Sequence, residues 1–213
     1  MGLAISVGAL AELQEEDPEG AQWLQDAIGQ ANALLQQAGL PLHVEPASLP
    51  QLDTRAMADS FPYSCLHYLR RAYAHAALDG QWRATPLAEG EDPTDDPVLD
   101  EAQDMFDSHL ICHSDCEGFY FPIVFDDVIF ADDDHPLPGG MLGSSYKLRE
   151  ELATVAPALG IFLLGDELGD EEAERINTRI DAEDGLQREL LAWLAAYEAC
   201  RLSIAHKTAI VFN

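Results

Sequence analysis

The sequence predicts an α+β fold: a single compact domain in which a central, mostly antiparallel sheet has about five or six helices packed around it. Three observations lead there. The chain has 213 residues, 47% of them hydrophobic, enough for one substantial core and too apolar for general disorder. Helix-periodic segments and short apolar runs are interspersed without the regular βαβ rhythm of a doubly wound sheet. No internal repeat and no clean domain boundary divides residues 1–213.

The elements follow in order. Residues 1–11 (MGLAISVGALA) are apolar, with Leu3–Val7 read as a buried first strand. The absence of a positive charge before the apolar stretch, and the acids that follow it, argue against an export signal. Gly2 and Ser6 fit the loose myristoylation pattern without the polybasic companion that stable anchoring requires. Asp17-Pro18-Glu19 reads as a capped helix start, and Trp23, Leu24, Ile28, Leu34 and Leu35 recur at helical spacing until Gly39 and Pro41. A proline-broken connection leads to a second helix over 62–78, burying Leu66, Leu69 and Tyr73. Residues 86–97 read as a mobile acidic loop, and a short helix over 98–107 follows.

Two apolar runs, 109–113 and 119–125, flank an Asp/Gly-containing turn and predict a β-hairpin. Residues 138–143 (PGGMLG) read as a turn region running into Ser144 or Ser145, which caps a helix over 146–159. Residues 161–164 read as a short buried strand. A very polar helix starts at Asp170, the longest helix runs over 185–206, and 208–212 forms a last strand. Trp23, Trp82 and Trp193 are all assigned to the core.

Charge is the strongest functional signal. Thirty-nine acidic side chains against eleven basic ones give a formal net charge of −28. No Lys or Arg occurs between Arg83 and Lys147, a stretch that holds sixteen carboxylates from Glu89 to Asp134. Such a field repels nucleic-acid phosphates and anionic membranes and steers in a basic protein. The expected partner is therefore a basic protein, with no nucleic acid and no membrane. Asp95, Asp96, Asp115, Glu117, Asp132 and Asp133 are the candidate partner-binding residues. Solubility alone is the competing account of the acidity. Four scattered cysteines, with no disulfide framework, fit a cytoplasmic protein.

A second candidate site comprises His109, His113, Arg70 and Arg71. The segment 109–117 collects His109, Cys112, His113, Asp115, Cys116 and Glu117, all types that ligate transition metals. It supports the alternative of a small metal-assisted hydrolase. The spacing does not suit zinc, and no metal, cofactor or catalytic residue is assigned. Asp92, Thr94, Asp96 and Asp100 fit calcium-loop offsets, but Pro97 and Gln103 occupy the positions that require Gly and Glu. Residues 139–147 lack the order of a Walker loop, and neither G-x-S-x-G nor H-E-x-x-H occurs. Arg70 and Arg71, with His67, are either a small anion-binding patch or internal partners for the surplus carboxylates.

The phrases HLICHSDCEGFYFP (109–122), PGGMLGSS (138–145) and SIAHKTAIVF (203–212), with the opening GLAISVGALAEL, resemble a family of uncharacterised bacterial proteins. The resemblance implies one bacterial domain of similar length and carries over no activity. In size and acidity the chain is also similar to immunity proteins of toxin systems. The expected function is thus an acidic cytoplasmic binding protein, with an immunity-type inhibitor of a basic toxin or enzyme as its specific form.

Overall fold

The computed structural model describes residues 2–213. Met1, part of the N-terminal segment considered above, lies outside them. The described residues form a six-stranded mixed sheet and seven α-helices in one α+β domain. The strands are β1 (Gly2–Val7), β2 (Ser60–Pro62), β3 (Gly118–Phe121), β4 (Ile129–Phe130), β5 (Met141–Ser144) and β6 (Ile210–Phe212). Across the sheet they lie in the order β2-β1-β6-β3-β5-β4. Every neighbouring pair is antiparallel except β3 and β5.

Period-2 alternation builds two cores from this sheet. Leu3, Ile5, Tyr120, Ile210 and Phe212 face one side, where α3 (Ser64–Leu78), α5 (Ser145–Val155), α6 (Asp170–Asp181) and α7 (Gln187–His206) pack. Phe119, Phe121, Leu142 and Val211 face the other, covered by α1 (Ala9–Glu16) and α2 (Pro18–Gln37). The middle strands are apolar on both faces, as a sheet covered on both sides demands. Helix α7 crosses the first core with Trp193, Leu194 and Tyr197 almost wholly buried. It also buries Glu198, whose charge is met by Arg55 at 2.5 Å and Arg201 at 2.7 Å.

Local signals explain most boundaries. The Asp17 side chain accepts from the Gly20 N–H at 3.1 Å to open α2, and the Ser144 hydroxyl accepts from the Lys147 N–H to open α5. Asp96 does the same at Val98 to open α4 (Pro97–Asp104). Within residues 86–97 a single 3-10 turn forms at Pro93–Asp95.

Four expectations are corrected. The hairpin does not form: 109–113 is an irregular turn, and β3 pairs with β6 and β5 instead. The polar backbone of that turn is satisfied from elsewhere. The Glu151 carboxylate accepts from the His109 and Leu110 N–H groups at 2.8 and 2.7 Å, while Arg70 donates to the Leu110 and His113 carbonyls at 2.9 and 2.6 Å. Residues 161–164 form no strand, because the Phe162 N–H is taken by Glu172 and only the Leu164–Glu167 bridge is made. Trp23 is 55% exposed, since the buried stripe of α2 runs through Ala21, Leu24, Ala27 and Ile28. Finally, 141–144 is a strand rather than part of a turn. Gly143 lies opposite Tyr120 in the ladder, and a Cβ there would come within 2.2 Å of the Tyr120 ring.

Candidate acidic interaction surface

The histidines, carboxylates and arginines singled out above are sorted by the fold into an internal set and an external set. Arg70, on the buried side of α3, is the centre of the internal set. It is 4% exposed and donates to the carboxylate of Asp115 as well as to the two carbonyls of the 108–117 turn. His67 approaches the other Asp115 oxygen at 3.2 Å. Burial acts to raise the Asp115 pKa, but the His67 hydrogen bond and the Arg70 charge outweigh it and hold the group at about 2. Arg71 Nε lies 2.7 Å from Asp96, and His75 Nε2 lies 2.9 Å from the same oxygen. Both arginines are thereby engaged with internal partners.

The two candidate histidines are buried and neutral. The Nδ1 of His109 accepts from the Ser144 N–H at 3.0 Å, so its Nε2 carries the hydrogen and donates to the Asp126 carbonyl at 3.0 Å. His113 stacks on Tyr120 with ring centroids 4.3 Å apart, and its Nδ1–H donates to the Ser114 carbonyl at 2.9 Å. Burial lowers the His113 pKa to about 3, and that of His109 in the same direction. The His113 ring also lies against Gly118, where any Cβ would stand 2.8 Å from it. His109 has no free nitrogen for a metal, and Glu117 is exposed whereas both histidines are buried. Among the described residues, no group of three or more His, Cys, Asp or Glu side chains is placed to hold a metal ion. The hydrolase alternative gains no support from this geometry.

The external set is acidic. Of the sixteen carboxylates between Glu89 and Asp134, all but Asp96 and Asp115 are exposed. Asp95, Glu117, Asp132 and Asp133 belong to this group; Asp96 and Asp115 do not. Asp100, Glu101 and Asp104 project from α4, while Asp126 and Asp127 precede β4 and Asp132–Asp134 follow it. Hydrogen bonding holds some of these acids ionised. Asp92 lies below its usual pKa through the Thr94 N–H and hydroxyl, and Asp132 through the His135 side chain and N–H. Most cations cannot dilute this field. Arg55, Arg70, Arg71, Lys147, Arg149, Arg175, Arg179 and Arg201 each already face a carboxylate within the chain.

Sequence reasoning did not find the aromatic pair within this surface. Phe106 follows the end of α4 in the left-handed region (φ 54°), where Gly is usual and a bulky residue costs about 1–2 kcal/mol. Its ring meets that of Phe130, on edge strand β4, at 6.0 Å and 74°. The pair joins the acidic C-terminal end of α4 to the acidic end of β4. An αL residue at a helix end is hard to foresee without Gly or Asn to mark it.

Fold and surface thus define an acidic α+β protein in which most cations face carboxylates of the same chain and most carboxylates between Arg83 and Lys147 lie outside. The model of the family described as "Putative DNA-mimic protein" matches residues 1–212, and the chain belongs to that family. No curated protein and no solved structure matches it. Membership corrects the expectation about partners. That expectation gave nucleic acid no part and named only a generic basic protein. The family description instead brings DNA in, as the thing mimicked rather than as the thing bound. No described helix is long and apolar enough to cross a membrane.

Proposed function

We propose that the chain binds DNA-binding proteins by presenting carboxylates where DNA presents phosphates, and so competes with DNA for their nucleic-acid sites. The observation carrying this reading is the stretch between Arg83 and Lys147, with no Lys or Arg and all its carboxylates but Asp96 and Asp115 exposed. The family description supports it. A DNA-binding face draws much of its affinity from Lys and Arg releasing condensed counterions. A fixed array of carboxylates offers those cations the same kind of partner and speeds their encounter through long-range attraction. Where the bound protein is a DNA-acting toxin, the outcome would be the immunity-type inhibition considered above.

The test is displacement from immobilised DNA. Proteins of the source cell are loaded on DNA-cellulose and eluted with this chain, with polyglutamate of matched charge as control. Release of a discrete DNA-binding protein by the chain, but not by polyglutamate, is expected, and raising the salt should weaken its complex with the chain. If the chain releases nothing, or only what polyglutamate releases, the reading fails.

A further inference from the structure

Guanidinium groups lie over several aromatic rings of this protein, buried Tyr197 and exposed Phe162 among them. Arg71 lies over Trp82, Arg149 over Tyr197, Arg175 over Phe162 and Arg188 over Tyr68, at 4.7–6.0 Å from the ring centres. Phe106 and Phe130 are 63% and 44% exposed, and among the described residues no cation covers either. Met105, 68% exposed, extends the patch. Its rim is anionic: Asp104 and Asp107 flank Phe106, while Asp127 and Asp132 lie near Phe130 along the chain, all four exposed.

Resting on the proposed reading, we infer that the Phe106–Phe130 pair is a docking platform for arginine side chains on the DNA-binding face of the partner. A guanidinium is planar and weakly hydrated. It can lie on an aromatic face while its N–H edge reaches a neighbouring carboxylate, an arrangement a lysine ammonium does not reproduce. The carboxylates attract any cationic surface; the rings would select those rich in arginine. A second copy of this chain is a poor occupant, because it would bring another net charge of −28 against the first.

The test uses oligo-arginine and oligo-lysine peptides of equal length, titrated into the protein at fixed ionic strength and followed by calorimetry and NMR. The arginine peptide should bind roughly three- to tenfold more tightly and shift the Phe106 and Phe130 ring resonances. In F106A/F130A the preference should vanish, leaving both peptides near the lysine level, with an unchanged melting temperature showing that the variant is folded. Equal binding of both peptides to the wild type, or a preference that survives in F106A/F130A, overturns the inference. So does a wild-type dimer in sedimentation that F106A/F130A abolishes. In the DNA-cellulose experiment, equal release by wild type and F106A/F130A sinks the platform alone. Release by neither sinks the DNA-mimic reading itself.

Discussion

Arg70 donates to Asp115 and, with the same guanidinium, to the carbonyls of Leu110 and His113, so one buried cation on α3 holds the irregular turn that the sequence presents as a hairpin. Replacing Arg70 by Met leaves two buried carbonyls without a donor and Asp115 without its closest charge. The expected loss is on the order of 3 kcal/mol, since a buried group stripped of its partner costs more than the intact pair contributes. Urea unfolding should show a lower midpoint at unchanged slope. A midpoint within error of wild type would mean that Arg70 does not hold the turn.

The acidic residues divide by role, and neutralisation should separate them. Asp95, Asp132 and Asp133 are exposed and have no Lys or Arg partner, and an Asn at 132 keeps an Oδ1 for the Asp134 and His135 N–H groups. D95N/D132N/D133N therefore trades the His135 contact against relieved repulsion and should leave the melting temperature close to that of wild type. The same triple variant should release less protein from DNA-cellulose. Asp96 differs, because it caps α4 and also meets Arg71 and His75. D96A should cost about 1–2 kcal/mol, chiefly through the lost cap. If D96A proves neutral and the triple variant unfolds the protein, the division is wrong.

The limit of the sequence lies at such cross-chain partnerships. The Asp17-Pro18 start of α2, the Ser144 cap of α5 and the alternating β6 were legible because cap chemistry and side-chain period are local. The turn at 108–117 was not. Its polar backbone is satisfied by Arg70 and Glu151, 40 or so residues away in either direction, and no local pattern announces such donors and acceptors. The acidic surface was legible as charge, whereas the pairing of Asp96 and Asp115 with buried or half-buried cations and the meeting of Phe106 with Phe130 depend on tertiary packing.

Stability should respond to acid through two opposed terms. His113 has its folded pKa lowered from 6.5 to about 3 by burial, so the unfolded chain takes up a proton that the folded chain refuses. Its contribution is complete above pH 6.5 and is lost as the pH falls toward 3. Burial raises Glu151 from 4.5 to about 7, against the pull of the His109 and Leu110 N–H groups. Its contribution is complete below pH 4.5 and is lost as the pH rises through 7. Between pH 4.5 and 6.5 the slopes oppose each other. E151Q should therefore steepen the loss of stability on acidification in this window, and H113F should make the protein more stable toward pH 4.5 than at pH 6.5. Denaturant titrations across the window decide it; parallel curves for wild type and both variants would show that neither group titrates as described.

Gly143 should tolerate no side chain. It faces Tyr120 across the only parallel pairing among the described strands, and the Tyr120 ring fills the space above its Cα. That ring is 1% exposed, is stacked on His113 at 4.3 Å, and donates its hydroxyl to the His109 carbonyl at 2.9 Å. It cannot move aside without disturbing the turn that Arg70 holds. A single methyl at Gly143 must therefore displace backbone or ring, and G143A should lose about 3 kcal/mol, at the upper end of overpacking costs. The Y120A/G143A double variant tests the cause. If the clash is responsible, G143A should cost much less in the Y120A background than in the wild type. Equal costs in both backgrounds would place the role of Gly143 in its backbone rather than in the space it leaves for Tyr120.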